Sequence, residues 1–307
     1  MSMTKIIGSL LLVCLSFKGH TVDKGSGTAC ENTQMGPHGY QKAAQMSEKV
    51  LNYLEKKHAK SQTKVVLLGR AGSNSPSERF QKKVSQYWNY THAGLAYRNH
   101  PDGMWTIIHL LNDCGKTSSI YAQSMMKFFM DDPYAYRTVI GIPSIDIQNQ
   151  LETIIIQRNM SKAMFNNSVY SSVSNPFNTQ RQNSNEYILD TLVLAYAYEQ
   201  GTTDIFTREQ AKDYLLKHDL KKHVIAEQVK IKGLESFGMA LGFGPKNATL
   251  DDHPRSERKK GRVNMVSVGT LLEFLVNIGE LQSSSELALT DSTKAQDTIY
   301  DRDKRSR

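Results

Sequence analysis

Apolar residues recur at helical spacing over residues 40–58, where Ala43, Met46, Val50, Leu51 and Leu54 form one stripe with Lys, Glu and Gln between them. This spacing predicts an amphipathic helix. The short β-branched run Val65 to Leu68, bounded by Lys64 and the loop-forming residues 70–74, predicts a buried strand. His92 to Arg98 and Met104 to Leu110 predict a hairpin, because Pro101 and Gly103 between them supply the dihedrals of a turn. A helix is expected near Ser119 to Phe129 and a further strand over Tyr136 to Ile142. After Pro143, Ser144 caps a helix running to about Arg158.

The Asn- and Ser-rich stretch 166–178 reads as a loop. Tyr187, Ile188, Leu192, Ala195 and Tyr198 predict a helix over Asn185 to Glu199, and Thr207 caps another reaching Lys217. Residues 228–270 hold short β-type runs broken by Gly238, Gly242 and Gly244, and Val266 to Val276 returns to apolar character. Beyond Leu281 the chain carries Ser, Thr, Asp and Lys without periodicity. Residues 283–307 are expected to form a disordered tail, since too little apolar surface remains there to offset ordering entropy. Strands gathered among helices in this order indicate an α+β class.

The N-terminus changes the expected location. Lys5 precedes the apolar run Ile6 to Phe17, which Lys18 closes. This run is too short for a bilayer, which needs about 20 residues. A basic start followed by a short apolar stretch is the pattern of a secretory signal, assigned here to residues 1–19. The chain is therefore expected to be exported, with no integral membrane span. Cleavage would remove Cys14 and leave Cys30 and Cys114. In an oxidising compartment these two invite a disulfide, the alternative being two unrelated thiols.

Composition excludes more than it selects. The chain has 307 residues, 39 % hydrophobic and 22 % charged, with a net charge of +8. Its 38 basic and 30 acidic residues are interspersed rather than gathered on one face, so nucleic acid is not an expected partner. Three cysteines exclude a four-cysteine zinc module. Gly115-Lys116-Thr117 ends like a phosphate loop, but Leu110 stands where the required glycine would be. Gly-x-Ser-x-Gly and His-Glu-x-x-His are both missing. Asp251-Asp252-His253-Pro254 reads as a solvated capping turn and Arg255 to Arg262 as a surface strip in a loop, so neither metal nor cofactor is expected.

Two distant segments remain: Tyr90-Thr91-His92-Ala93-Gly94-Leu95-Ala96 opening a strand, and Arg181-Gln182-Asn183-Ser184-Asn185-Glu186 opening a helix. Between and around them stand Asn99-His100-Pro101-Asp102-Gly103, His109 to Gly115, Phe128-Phe129, Asp131-Asp132-Pro133, Asn175-Pro176-Phe177 and Asp251 to Pro254. In this unbroken order, over residues 28–276, the chain resembles the bacterial exported proteins grouped as domain of unknown function 2145. That resemblance implies little about activity. More distantly, a His, a small residue and Gly at a strand start, followed much later by a polar helix start, resemble the circularly permuted papain-like hydrolases and acyltransferases of the NlpC type. This second resemblance implies a single papain-like domain over 28–276, an antiparallel sheet packed with helices, plus a C-terminal extension. It gives His92 the place of general base, His109 that of the residue orienting it, and Ser184 the place of the family's nucleophilic Cys.

The substitution of Ser for Cys matters chemically. A helix N-terminus and a neighbouring imidazolium can hold a thiol as thiolate, whereas a serine hydroxyl must lose its proton during attack to an oriented neutral His. Asn183 or Gln182 could supply an amide to an oxyanion, and Gln182, Asn183 and Asn185 are the candidate binding residues. Equally, Asn183 with Glu186 matches a capping box, in which Ser184 is a first-turn residue with a structural task. Two functions follow. In one, a degenerate papain-like cleft binds a peptide or acyl ligand without turning it over, and the missing Cys favours this reading. In the other, Ser184 and His92 act on a cell-wall peptide or acyl substrate. The hairpin register bears on the choice: an even-numbered loop, as when Arg98 opposes Gly103, places His92 and His109 on one face, and pairing of Arg98 with Met104 separates them.

Overall fold

A computed structural model describes residues 37–72, 90–113, 117–131, 133–156, 162, 164–165, 169–224, 227–230 and 248–289. The expected secretory signal, Cys30 and Cys114 lie outside these residues. Among the described residues no helix is long and apolar enough to cross a membrane.

Helix α1 (Pro37–Ser61) leads into β1 (Val65–Gly72), and β2 (His92–Tyr97), β3 (Thr106–Asn112) and β4 (Ser118–Gln123) follow in succession. The short helix α2 (Met125–Met130) then precedes β5 (Pro133–Pro143) and α3 (Ile145–Ile156). Next come α4 (Ser184–Glu199) and α5 (Arg208–Lys217). The rest comprises β6 (Glu227–Lys230), α6 (Arg255–Lys260), β7 (Arg262–Met265), α7 (Val268–Asn277) and β8 (Leu281–Ala288). Six strands form one sheet in the order β4-β3-β2-β1-β5-β8, each neighbour antiparallel, while β6 and β7 pair separately. The molecule is thus α+β with an open antiparallel sheet.

Side-chain alternation along β1 sorts the core into two layers. Val65 and Leu67 join the cluster built from α3, α4 and α7, whereas Val66 and Leu68 join Met46, Val50, Leu54, Phe128 and Phe129 of α1 and α2. A Cβ on Gly69 would stand 2.4 Å from Val268 and one on Gly141 2.5 Å from Leu272, so these two glycines let α7 lie directly on the sheet. Helix α4 is buried nearly all round, because it runs between the sheet and the other helices of its layer.

Several expectations are corrected. The helix placed at Ser119 to Phe129 is a strand followed by one short helix. Residues 118–123 pair with β3 from Asn112↔Ser118 to Ile107↔Gln123, and Ser124 then caps α2 by accepting from Lys127 N. The tail placed at 283–307 begins too early, since β8 pairs with β5 from Pro143↔Leu281 to Arg137↔Ala288. Backbone pairing and a few seated side chains, Leu281, Leu287 and the Tyr53–Ser285 hydroxyl contact at 2.6 Å, suffice to order this edge. Arg255 to Lys260 is a helical turn rather than loop, closed by Gly261 at φ 58°. The Asp251–Pro254 turn is not solvated throughout. Asp252 and His253 are buried, and Asp252 Oδ2 accepts from Asn175 N at 2.8 Å.

Candidate active site

The β2–β3 hairpin carries two of the three candidate residues. Tyr97 pairs with Thr106 and Leu95 with Ile108, and Trp105 N donates to Arg98 O at 3.3 Å. Arg98 therefore opposes Trp105, two residues beyond the expected Gly103 but with the same parity. His92 and His109 consequently share a face, the one covered by α1 and α2. Continuing the register sets Gly94 opposite His109, where a Cβ would stand 2.5 Å from Ile107 Cγ2 and 3.2 Å from His109 Cβ. The missing side chain gives the His109 ring room to lean toward His92.

Ser184 arrives from the other side, on the first turn of α4. Asn183, extended at φ −108° and ψ 174°, caps this helix by accepting Glu186 N on Oδ1 at 2.8 Å. The Glu186 side chain does not complete a capping box. It turns instead to Arg208, Lys212 and Ser174.

Together these elements build one hydrogen-bonded chain. Ser184 Oγ lies 3.0 Å from His92 Nδ1, His92 Nε2 lies 2.7 Å from His109 Nδ1, and His109 Nε2 lies 3.0 Å from Gln123 Oε1. All four side chains are buried, and Phe128 packs on both imidazoles with ring centroids 5.9 and 5.4 Å away. Direction follows from the far end. The Gln123 carbonyl can only accept, so His109 donates from Nε2 and a neutral ring leaves its Nδ1 bare. His92 then donates from Nε2 and presents a bare Nδ1 to the Ser184 hydroxyl.

Electrostatics keep both rings neutral. Burial, then the Arg70 guanidinium and His109, hold His92 well below the ordinary histidine range, and burial and Arg70 bring His109 down to about 3. Burial pushes the Tyr170 phenol up to about 12 and a hydrogen bond with Ser184 pulls it back only in part, so Tyr170 keeps its proton at neutral pH.

The candidate binding residues separate sharply. Gln182 Nε2 donates to Met164 O at 2.7 Å and to Asp190 at 3.0 Å, so it holds the loop. The Asn185 amide is committed to the backbone of β2 and of residue 266. Asn183 alone of the three keeps an open group, its buried Nδ2 having no partner among the described residues. Among the described residues no group of three or more His, Cys, Asp and Glu could hold a metal.

Sequence reasoning missed Gln123, Arg70 and Tyr170, and took Gly94 and Phe128 only as parts of motifs. Gln123 becomes visible only once 118–123 is read as a strand. Gly94 carried a signal in its spacing from His92, since a glycine two residues along a strand lies on the same face.

The sequence profile of a family described as an uncharacterized protein conserved in bacteria (DUF2145) matches residues 57–275, a span that contains the whole hydrogen-bonded chain. No curated protein and no solved structure matches the chain.

Proposed function

The chain belongs to this family of uncharacterized bacterial proteins, and from that premise we propose that it performs acyl transfer, cleaving an amide or ester with Ser184 as nucleophile and His92 as general base. One observation carries the proposal: the Ser184 hydroxyl 3.0 Å from an imidazole whose other nitrogen is fixed by His109. A structural first-turn serine needs no such partner.

Ser184 Oγ attacks the substrate carbonyl carbon while its proton passes to His92 Nδ1, and the carbonyl electron pair moves to oxygen. The Asn183 amide, whose buried Nδ2 has no partner among the described residues, is assigned as the side-chain donor to that oxyanion. Collapse of the intermediate expels the amine or alcohol, which takes the proton back from His92. Water or a second acceptor then attacks the acyl-serine by the same route. His109 and Gln123 act through His92: they hold its tautomer and set dipoles, rather than a carboxylate, against the imidazolium that forms. A neutral site of this kind suits a serine, which requires an unprotonated base, better than a thiolate–imidazolium pair.

An antiparallel sheet with the base at a strand start and the nucleophile on a helix N-terminus supports kinship with the papain-like hydrolases of the NlpC type. The apolar run Ile6 to Phe17 supports export to the periplasm, where a cell-wall peptide or an acyl-bearing molecule is the substrate class. A serine-directed fluorophosphonate applied to the purified full chain tests the proposal. Covalent labelling of the wild type that disappears in Ser184→Ala is expected. No labelling between pH 6 and 9 would overturn catalysis.

A further inference from the structure

Asn185 follows the nucleophile in sequence, yet its side chain points at the strand that carries the base. Its Oδ1 accepts from Ala93 N at 3.0 Å, and its Nδ2 donates to Thr91 O at 3.2 Å and to Val266 O at 3.3 Å. Thr91 and Ala93 are the two chain neighbours of His92. One amide therefore grips the backbone on both sides of the base while its own backbone is bonded to the residue bearing the nucleophile. The third contact ties in residue 266, immediately before Ser267 caps α7. Both donor hydrogens are engaged and the oxygen accepts one backbone N–H, so the amide is committed to the backbone on three sides.

From this geometry we infer that Asn185 is a positioning residue, the spacer that sets the distance between Ser184 Oγ and His92 Nδ1. The inference rests on the proposed catalytic reading and adds a division of labour to the Asn-Ser-Asn run. Asn183 caps the helix and keeps an amide open, Ser184 reacts, and Asn185 locks the helix start to β2. The alternative route for setting this distance is longer. It would pass through the sheet, the α4 packing and the loop before Asn183, where small errors accumulate. A direct clamp one residue from each reacting side chain removes that slack, which matters because a misplacement of about 1 Å can cost ~10²-fold in rate.

The molecule supplies its own control. Gln148 on α3 makes a comparable clamp far along the chain, accepting Lys64 N at 2.8 Å and Val65 N at 3.2 Å on Oε1 and donating to Pro143 O at 2.9 Å. It joins a helix to strand ends with the same number of bonds but touches no site residue.

The test compares fluorophosphonate labelling rate, melting temperature and histidine-ring nitrogen NMR in the full-length wild type, Asn185→Gln, Asn185→Asp and Gln148→Ala. Asn185→Gln keeps every donor and acceptor but lengthens the arm by one methylene, and Asn185→Asp replaces the two donor hydrogens by a carboxylate oxygen facing the carbonyls of Thr91 and Val266. Both are expected to lower Ser184 labelling by ~10²-fold and to move the His92 ring signals. Gln148→Ala is expected to lower the melting temperature while leaving labelling and those signals in place. Wild-type labelling in Asn185→Gln would overturn the inference, as would an equal loss of labelling in Gln148→Ala at matched loss of melting temperature. Should the wild type itself fail to label, the catalytic reading falls and the NMR arm still decides: displaced His92 signals in folded Asn185→Gln support positioning, and unmoved signals overturn it.

Discussion

Helix α4 touches two buried polar assemblies within its first two turns, and they are built on opposite principles. One is ionic. Glu186 and Asp190 of α4 meet Arg208 and Lys212 of α5, all four at or below 3 % side-chain exposure. Two negative and two positive charges cancel. Both Glu186 oxygens are engaged, Oε1 by Arg208 and Lys212 and Oε2 by Ser174, and both Asp190 oxygens are engaged by Lys212, Arg208 and Gln182. Burial works against the charge of Arg208, but the two carboxylates overcome it and hold its pKa above the usual value. The other assembly, Ser184–His92–His109–Gln123, is neutral throughout and ends in a hydroxyl whose proton has somewhere to go.

The contrast separates placement from reaction. Arg208 also donates to the carbonyls of Asn178, Thr179 and Arg181, and Lys212 to that of Pro176, so the ionic group holds the segment that leads into Ser184. Its charges are fixed, and moving a proton within it would strand a buried ion. In the neutral chain, transfer from Ser184 to His92 creates charge only when an oxyanion forms to match it.

The largest expected effect is on the ionic side. Arg208→Met leaves two buried carboxylates facing one ammonium and should cost about 3–5 kcal/mol in urea unfolding. A loss below about 1 kcal/mol would erase the distinction between the two assemblies.

Gly94→Val comes next, since its side chain would enter the space taken by Ile107 and His109. Overpacking of about 1–3 kcal/mol is expected, together with loss of fluorophosphonate labelling. Retained labelling would show that His92 does not need His109 in place.

The pH dependence sharpens the comparison from the neutral side. Both imidazoles have folded pKa values below the unfolded value of 6.5, with His109 at about 3. Below pH 6.5 the unfolded chain binds protons that the folded chain refuses. Stability present above pH 6.5 should therefore drain as pH falls toward 3, and the His92→Gln/His109→Gln pair should flatten that decline in acid titrations followed by circular dichroism. An unchanged slope in the double variant would assign the decline to other groups. The smallest effect on stability belongs to Ser184→Ala, within about 1 kcal/mol, although labelling is abolished. A large destabilisation there would return Ser184 to a structural task.

The parts of the fold legible in the sequence are those with strong apolar patterns: α1, β1, the β2–β3 hairpin, β5, α3, α4 and α5. The two misassigned strands, β4 and β8, are the two edges of the sheet. An edge strand draws on backbone pairing with one neighbour and seats few side chains, so Ser-Ser-Ile-Tyr-Ala-Gln and Leu-Gln-Ser-Ser-Ser-Glu-Leu-Ala show little alternation. That error hid Gln123, because the residue completing the chain lies at the end of β4. His92, His109 and Ser184 were singled out in the sequence through the resemblance to the papain-like hydrolases. Gln182 and Asn185 were legible as polar residues beside the site, but not as residues whose amides are consumed by the loop and by β2. Such bonds depend on which backbone groups tertiary structure leaves unpaired.

The central claim is directional: a neutral chain running from Gln123 leaves the bare Nδ1 of His92 facing Ser184. Nitrogen NMR of the full chain with labelled histidine reads this directly at neutral pH. The account predicts His92 and His109 both protonated at Nε2 and unprotonated at Nδ1. A proton on His92 Nδ1 would reverse the chain, leave Ser184 without a base and contradict the account.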